Sequence, residues 1–267
     1  MQKVENIDET PLLQSTCYVQ GGDNMELLKS QPNESVNMIY SDILYGTGRN
    51  FGEYQDLKPI RSEIESHYLP RLIEMKRVLK QNGCIYLQMD YRIVHWLRCL
   101  MDDVFGYDNF VNEIIWKYKT GGASRKYFPR KHDNILMYAK GKDYTFNKLL
   151  DKNYTKHKYG FSNLETKEDE NGFYYLTTMS DVWEIPIIRT VKDKIDLESV
   201  NYPTQKPKEL ISRFVLASTT EGDVVADYYL GSGTTCEVAL ELGRKFIGCD
   251  INPRAIEITK ERIKRFI

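Results

Sequence analysis

A short segment with two glycines has the residue types and spacing of a nucleoside-binding turn. It reads ADYYLGSGTT, residues 226–235, and lies between a predicted strand and a predicted helix. Gly231 and Gly233 let the backbone approach a ligand closely, and the amino terminus of a helix favours polar or anionic groups. Asp250 ends the next predicted strand, 17 residues after Gly233, where a ribose-binding carboxylate belongs in a βαβ unit. These features favour nucleoside binding, and they leave open a tight turn followed by a helix-capping aspartate.

Two common nucleotide-binding motifs are absent from the sequence. GSGTT supplies only two glycines before the helix, so the GxGxxG spacing of the dinucleotide fingerprint is missing and NAD is disfavoured. The phosphate-binding pattern GxxxxGK[ST] does not occur either. Hydrolysis of a nucleoside triphosphate therefore has no supporting motif.

A second segment with chemical potential is SDILYGTG, residues 41–48, which follows the apolar and β-prone stretch Val36–Tyr40. It places the acid Asp42 and the ring of Tyr45 at the end of a predicted strand, before a glycine-containing loop. Asp42 alone is equally compatible with an ordinary turn residue. In an open α/β sheet, however, ligands bind at the carboxyl ends of parallel strands, so we expect Asp42 and Asp227 to lie at one edge.

Composition limits the class of protein. A chain of 267 residues can form one large α/β domain or one domain with an insertion. The 37 basic and 38 acidic residues nearly cancel, so an anionic partner must be met by a local cluster of charge. The five cysteines contain no CxxC pair, which argues against a disulfide framework and a zinc site and favours a reducing, intracellular location. The first residues, MQKVENIDETPLLQ, lack the apolar core of a signal peptide, and no apolar window is long enough to span a bilayer, so we expect a soluble protein.

Hydrophobic periodicity predicts alternating strands and helices, and hence a mostly parallel sheet covered on both faces. Residues from about 141 to 201 interrupt the alternation, because they are polar, rich in tyrosine and carry the charge run ETKEDE, so we interpret them as an insertion. We expect strands at 16–20, 36–40, 84–89, 111–118, 134–139, 224–227 and 245–250, and helices at 24–29, 60–80, 93–105, 206–218, 234–242 and 253–266, with Asn82-Gly83 ending the second helix.

Taken together, these segments resemble the motifs of amino-group DNA methyltransferases. ADYYLGSGTT is similar to the family motif D-P-F-x-G-S-G-T-T, which binds S-adenosylmethionine, and SDILYG is similar to the catalytic motif D-P-P-Y. The catalytic motif comes first and the cofactor motif last, as in the β group of these enzymes. Further matches in order are RVLKQNGCIYLQMD (77–90), NEIIWKY (112–118), HDNILMYAK (132–140), SDVWEIP (180–186), YPTQKPKELI (202–211) and FIGCDINPRAIEITKERI (246–263).

The resemblance implies a permuted Rossmann-like methyltransferase fold, with a mostly parallel twisted sheet, helices on both faces and a target-recognition insert. Residues 1–140 would form the catalytic half of the methyltransferase domain and residues 201–267 its S-adenosylmethionine-binding half. Residues 141–200 would form the target-recognition region between them.

The resemblance also implies how a base is methylated. By match to D-P-P-Y, the catalytic residues are Asp42, Ile43 and Tyr45. The Asp42 carboxylate and the Ile43 carbonyl would accept hydrogen bonds from the exocyclic amine of a flipped-out base, and Tyr45 would stack on that base. Asp at the first motif position favours adenine N6, and the alternative is cytosine N4, for which many enzymes carry Ser. An RNA or small-molecule methyltransferase on the same fold is a third reading.

The cofactor site is likewise carried over by match. Asp227 would meet the methionine amino group of S-adenosylmethionine, and Asp250 would accept the ribose hydroxyls. The segment 204–206 would close the methionine side of the pocket, although Lys206 is equally compatible with a solvated lysine at the start of a helix. The complete expected set is Asp42, Thr204, Gln205, Lys206, Asp227, Tyr228, Gly231, Ser232, Gly233, Thr234, Asp250 and Asn252. We expect no metal.

A basic segment at 117–142 has interleaved aromatic residues, and Asp133 is its only acid. Cations can neutralise phosphates and aromatic rings can fill the gap left by a flipped base, so this segment predicts contact with double-stranded DNA. Part of the charge is also explained as a solvated face. We expect the loop Gly121–Ser124 to be the mobile piece that contacts DNA, and we expect DNA to be bound by Lys119, Arg125, Lys126, Arg130 and Lys131.

Two departures from the family pattern bear on activity. Ile43 and Leu44 replace both prolines of D-P-P-Y, and Tyr228 replaces the proline of D-P-F. Proline restricts φ and removes an amide donor, whereas isoleucine restores the N–H but is stiff and prefers extended geometry. The alternatives are an active enzyme and a catalytically impaired DNA-binding relative that serves as a partner subunit. A cognate restriction endonuclease, a homodimer and a cytoplasmic location are expectations from the family.

Overall fold

The computed structural model describes residues 16–50, 55–120, 123–156, 165–191, 194–195 and 197–266. The prediction for the first residues of the chain and the Gly121-Gly122 part of the predicted mobile loop lie outside these ranges. No helix among the described residues is long and apolar enough to cross a membrane.

Strands and helices alternate along most of the described chain. The helices are α1 (Asn24–Ser30), α2 (Arg61–Val78), α3 (Val94–Phe105), α4 (Lys208–Ser218), α5 (Thr234–Glu241) and α6 (Pro253–Ile263). The strands are β1 (Cys17–Gly21), β2 (Val36–Asp42), β3 (Leu79–Met89), β4 (Phe110–Lys117), β5 (His132–Ala139), β6 (Leu150–Thr155), β7 (Lys167–Asp169), β8 (Gly172–Thr178), β9 (Val182–Glu184), β10 (Thr190–Val191), β11 (Lys194–Ile195), β12 (Val224–Asp227) and β13 (Lys245–Asp250).

One sheet organises the molecule, with the strand order β1-β13-β12-β2-β3-β5-β4-β9. The pairs from β1 to β3 in this order are parallel, and only β5 runs antiparallel to its two neighbours. The predicted α/β class with a mostly parallel sheet is therefore confirmed. Because β12 pairs with β2 and β2 with β3, the carboxyl ends of these strands share one edge.

The central strands are buried on both faces because helices cover both sides of the sheet. In β2, Ile39 faces a core shared with α1, α2 and α3, whereas Met38 and Tyr40 face a second core shared with α4, α5 and α6. This alternation is the two-residue period of a strand. Two packed layers of helix thus fix where β2 ends.

The predicted end of the second helix at Asn82-Gly83 is wrong. The helix ends at Val78, and strand β3 begins at Leu79 and runs through both residues. The pairing of β2 with β3 is irregular here, since Val36 pairs with Leu79 but Met38 pairs with Cys84. A Cβ on Gly83 would lie 2.7 Å from the Asn37 carbonyl oxygen, so this glycine serves close strand packing rather than helix termination.

Two other helix boundaries differ from the prediction by more than one residue. Helix α4 begins at Lys208 instead of Lys206, because Pro207 caps it and a residue before proline is disfavoured in helical geometry. Helix α6 ends at Ile263, three residues before the predicted Phe266.

The segment 141–200 contributes both its own sheet and a strand of the main one. Strands β6, β8 and β7 form an antiparallel sheet, and β10 and β11 form a small hairpin. Strand β9 pairs with β4 in parallel and extends the main sheet. The assignment of this segment to target recognition stays a prediction.

Candidate active site

A cavity of about 810 Å³ lies at the edge where β2, β12 and β13 end. Its wall includes Asp42, Tyr45, Lys206 and Asp250. The first and last of these residues are more than two hundred positions apart in the sequence. The volume suits a cofactor-sized ligand, and the position is the usual one for ligands of open α/β sheets.

Asp42 is the last residue of β2, and both of its oxygens are engaged. Oδ1 accepts a hydrogen bond of 2.7 Å from the Tyr45 hydroxyl, and Oδ2 forms an ion pair with Lys206 Nζ. Burial raises the pKa of the Asp42 carboxyl, while the nearby Lys206 and the Tyr45 hydroxyl pull it down. The expected alternative of a solvated Lys206 is wrong, since this residue is buried against the acid.

Tyr45 connects two acids through one hydroxyl. The oxygen lies 2.7 Å from Asp42 Oδ1 and 2.9 Å from Asp133 Oδ2. A phenol carries a single proton, so Tyr45 donates to one carboxylate at a time. Burial beside both acids raises the pKa of Tyr45 well above its ordinary value, which keeps the phenol neutral.

Asp133 is held by residues of three strands or strand ends. Gln88 Nε2 donates to its Oδ2 at 3.0 Å, and the Tyr118 hydroxyl donates to its Oδ1 at 2.9 Å. Gln88 in turn accepts a hydrogen bond of 2.7 Å from the Tyr40 hydroxyl. This buried network fixes the position of the Tyr45 ring at the cavity wall.

The backbone at Ile43 is anchored without a proline. Its N–H donates to the Gln88 carbonyl at 3.1 Å, and its side chain is buried in the core. The next carbonyl, that of Leu44, accepts a hydrogen bond of 3.0 Å from the Tyr68 hydroxyl. In the described part of the chain we find no donor to the Ile43 carbonyl oxygen, so this acceptor is available to a ligand.

Tyr228, which replaces the proline of D-P-F, is likewise held by hydrogen bonds. Tyr228 donates its N–H to Ser41 Oγ at 3.3 Å, and its buried hydroxyl donates to Gln31 Oε1 at 2.5 Å. Its carbonyl accepts from Asn24 Nδ2 at 3.0 Å. Each polar group that a proline would lack is therefore paired.

Asp227, at the end of β12, lies behind the cavity wall. Its oxygens accept hydrogen bonds of 2.7 Å from Thr235 Oγ1 and 3.0 Å from the Tyr229 N–H. Burial raises the pKa of Asp227 to about 7 despite these donors, and the negative charges of Asp42 and Asp250 add to the rise.

Asp250 faces the cavity and also orders the glycine turn. Its Oδ2 accepts a hydrogen bond of 2.8 Å from the Gly231 N–H, and its Oδ1 accepts one of 2.8 Å from the Asn252 N–H. Burial raises the pKa of Asp250, and backbone hydrogen bonds from Asn252, Gly231 and Ile251 oppose the rise. The carboxylate is therefore pre-oriented beside the turn.

Several expected cofactor residues support the cavity instead of lining it within the described chain. Ser232, Gly233, Thr234 and Asn252 are absent from the wall of the cavity. Thr234 donates its hydroxyl to the Lys206 carbonyl at 3.1 Å, and the Asn252 side chain caps helix α6. Their direct contact with a cofactor stays a prediction.

The segment Thr204–Lys206 lines the cavity in a constrained conformation. Thr204 has a φ of 60°, which is strained for a β-branched residue and is typical of functional sites. Its carbonyl accepts a hydrogen bond of 3.1 Å from Lys206 Nζ. Gln205 bonds the Val200 N–H and the Glu198 carbonyl, which ties the segment to the preceding loop.

The residues around the cavity fit S-adenosylmethionine. The carboxylates of Asp42 and Asp250 in the wall, and that of Asp227 buried behind it, suit a ligand with an ammonium group, a sulfonium and ribose hydroxyls. Gly231 and Gly233 have φ values of 52° and 73°, so the turn between them adopts a backbone path that L residues avoid. The wall also contains residues from outside the expected set, among them Asn24, His67, Arg71, Tyr202 and Tyr229.

The predicted DNA-binding residues differ in their partners. Arg130 donates to the Tyr91 hydroxyl, and Lys131 Nζ donates to the Thr120 carbonyl at 2.7 Å. Lys119 lies 2.9 Å from Glu184, which also pairs with Lys117, and these two lysines lower the pKa of Glu184 to about 2. Glu184 reaches them because β9 pairs with β4. Arg125 and Lys126 are exposed and have no ion pair within the described residues.

Comparison with known proteins identifies the family. The sequence matches the N6_N4_Mtase family, described as DNA methylase, over residues 36–261. It is 32% identical over 247 residues to the DNA adenine methyltransferase YhdJ of Escherichia coli K12, covering 91% of this chain and 81% of that protein. It is 35% identical over 242 residues to the type II methyltransferase M.HpaI of Haemophilus parainfluenzae, covering 90% and 71%.

Solved structures share the fold. The cytosine-N4-specific PvuII DNA methyltransferase has a TM-score of 0.64 at 18% identity, covering 93% of this chain and 86% of that one. The complex of M1.HpyAVI with S-adenosylmethionine has a TM-score of 0.59 at 18% identity, covering 93% and 99%. The expected fold is thereby confirmed. The family match confirms the resemblance to amino-group DNA methyltransferases and, with it, the expected cofactor. The protein belongs to the N6/N4 DNA methylase family and is an S-adenosylmethionine-dependent DNA methyltransferase.

Proposed function

We propose that the protein methylates adenine at N6 within a specific sequence of double-stranded DNA, after the base has left the helix. The observation that carries this proposal is the joint position of Asp42, Tyr45 and the free Ile43 carbonyl on one cavity wall. An acid at position 42 supports adenine over cytosine N4, for which Ser is common in the family. The adenine activity named for YhdJ points the same way.

The chemistry follows from the acceptors. The lone pair of an exocyclic amine is delocalised into the ring, so the enzyme must localise it and orient it. The amine donates one N–H to the Asp42 carboxylate and the other to the Ile43 carbonyl. The lone pair then points away from both of these hydrogen bonds. When bound, S-adenosylmethionine would supply an electrophilic methyl group and leave as the thioether S-adenosylhomocysteine. As the nitrogen gains positive charge it becomes acidic, and Asp42 or water takes its proton.

Tyr45 provides the stacking surface, and Asp133 holds it in place. A flipped base needs a rigid aromatic face to replace the stacking that it lost. When the Tyr45 hydroxyl donates to Asp133, Oδ1 of Asp42 is released for the incoming amine. Lys206 stays close to the ring and the acid, so it balances the charge of Asp42 before the base arrives.

Asp227 makes cofactor affinity dependent on pH. A ligand with an ammonium group favours the ionised carboxyl, whose pKa in the unliganded protein is about 7. We therefore expect the Kd for S-adenosylmethionine to rise about tenfold between about pH 8 and about pH 6. Isothermal titration at both pH values measures this change. His67 does not contribute, because burial and the charge of Arg71 lower its pKa to about 4 and it stays neutral.

Ionisation of the Asp227 carboxyl also makes the stability of the unliganded protein depend on pH. A raised folded-state pKa favours the protonated form, so its stabilising contribution is complete below about pH 4 and is lost as the pH rises to about 7.

Asp227→Asn is the control for the binding measurement, since it removes the titration and keeps the shape. Equal pH slopes of binding in the variant and the wild type would show that Asp227 is not the responsible group.

DNA contacts beyond the target base are assigned to two parts of the chain. The exposed cations of the β4–β5 loop support phosphate binding, and the region 141–200 supports recognition of the sequence. A cognate restriction endonuclease and a homodimer are further proposals from the family. All five cysteines are free thiols, which supports work in the reducing cytoplasm.

Sequencing of methylated bases in DNA from a methylase-deficient bacterial host that expresses this chain tests the proposal. We expect N6-methyladenine in one short sequence motif and none in a host that expresses Asp42→Ala. N4-methylcytosine in the motif would instead establish the cytosine alternative. A folded, cofactor-binding protein that leaves no mark would support the reading as a partner subunit.

A further inference from the structure

Phe128 is an aromatic residue without a packing role. Its side chain is 95% exposed in the loop between β4 and β5, and all residues of the loop segment 125–130 are exposed as well. Single exposed hydrophobic residues are common on protein surfaces, so exposure alone assigns nothing. The surroundings of Phe128 distinguish it.

Phe128 stands at the rim of a second cavity. This cavity has a volume of about 440 Å³, and its wall includes Tyr127 and Pro129, the two neighbours of Phe128 in the chain. It shares Tyr45, Tyr118 and Asp133 with the large cavity that contains the cofactor residues. The exposed ring therefore lies beside an opening that leads to the proposed stacking surface.

The loop around Phe128 is braced from both sides. The guanidinium of Arg130 lies over the rings of Tyr91 and Tyr127, at 4.1 and 4.6 Å from their centroids, and donates to the Tyr91 hydroxyl at 2.7 Å. Ser124 Oγ accepts from the Tyr127 N–H at 3.3 Å. Pro129 restricts φ next to Phe128. The backbone is thus held while the ring itself stays uncovered.

The charge around the ring suits a nucleic acid. Arg125 and Lys126 precede it and are exposed, while the nearby acid Asp133 is turned inward to Tyr118 and Gln88. Removing a base from the stack leaves a gap, and proteins that distort the duplex insert apolar side chains between bases. Basic residues beside such a wedge bind the flanking phosphates.

We propose that Phe128 enters the duplex and fills the space of the target base while that base occupies the cavity at Tyr45. The inference rests on the proposed methylation of a flipped base. Phe128 acts as a positioning residue, because it touches the DNA next to the target and not the reacting atoms. Its contribution is the stacking that replaces the lost base in the helix.

The test compares Phe128→Ala with the wild type on two duplexes that contain the methylated sequence motif. In one duplex the target base is paired, and in the other it faces an abasic site, so that leaving the helix costs less. We expect the variant to lose about tenfold or more of the methylation rate on the paired duplex, as for loss of one aromatic stack. We expect nearly wild-type rates on the duplex with the abasic site, and Phe128→Trp to keep activity on both.

Tyr107→Ala is the matched control, because Tyr107 is also an exposed ring, at 72%, and lies before β4, at the opposite edge of the sheet. An equal loss on both duplexes would contradict the wedge and indicate a simple binding contact. Unchanged rates on the paired duplex would contradict it too. If the wild type itself methylates neither duplex, the proposed function fails instead.

Discussion

Asp42→Ala abolishes methyl transfer while S-adenosylmethionine affinity stays within a few fold of the wild type. The variant removes the carboxylate that orients the target amine and takes part in its deprotonation, and we expect a loss of about a thousandfold or more in kcat. The Ile43 carbonyl remains, but one acceptor cannot orient the lone pair alone. Single-turnover kinetics with saturating DNA measure the effect.

A suitable control is Asp102→Ala. Both acids have side chains that are 23% exposed, and both are paired with a cation, Lys206 for Asp42 and Arg98 for Asp102. Asp102 lies on α3 and bonds to Tyr138 near the opposite edge of the sheet. We expect the control to keep transfer. Undiminished turnover of Asp42→Ala would show that the catalytic site is elsewhere.

Gly233→Ala destabilises the protein strongly and weakens cofactor binding. Gly233 has a φ of 73°, and an added Cβ would lie 2.9 Å from the Cβ of Thr259. The left-handed backbone costs about 1–2 kcal/mol for alanine, and the overlap adds about 1–3 kcal/mol. Because Gly233 is the N-cap residue of α5 and continues the turn from Gly231, we expect relaxation of the strain to displace that turn.

Gly222→Ala separates the two contributions. Gly222 has a φ of 84°, but a Cβ at this position meets nothing within 4 Å. Denaturant unfolding should therefore show only the backbone cost for Gly222→Ala and the larger loss for Gly233→Ala. Equal losses would mean that the contact with Thr259 relaxes freely and that the turn is not tightly packed.

The sequence predicted what local patterns encode. The glycine turn, the ordered motifs and the apolar strands placed Asp42, Asp227 and Asp250 at one edge, because the carboxyl ends of parallel strands converge. The boundary at Asn82-Gly83 was misread, since glycine after a helical pattern usually ends a helix, whereas here it allows β3 to approach β2.

Other features depend on contacts between distant residues. Asp133 and Gln88 look like ordinary strand residues, yet they meet Tyr45 from positions 88 and 43 residues away. Lys206 was assigned to the methionine side, but the fold brings it to Asp42, 164 residues away. Glu184 neutralises two lysines of the basic segment because a strand of the predicted insert joins the main sheet. The hydrophobic periodicity of a single segment does not indicate such contacts.

The replaced prolines no longer argue against activity. In the family motif, proline fixes the backbone after the acid, whereas here the Ile43 N–H bonds to the Gln88 carbonyl and the Leu44 carbonyl bonds to Tyr68. Hydrogen bonds to β3 and α2 thus fix the backbone that the two proline rings fix in the family motif. The Ile43 carbonyl is therefore available to accept a hydrogen bond from the target amine, as the proposed chemistry requires.

Transfer of a tritiated methyl group from S-adenosylmethionine to unmethylated duplex DNA by the purified protein tests the central claim most directly. After hydrolysis of the DNA, we expect the label in N6-methyladenine, and we expect none with Asp42→Ala. Measurable cofactor binding without any label in DNA, or label in RNA alone, would contradict the assignment of this site to DNA adenine methylation.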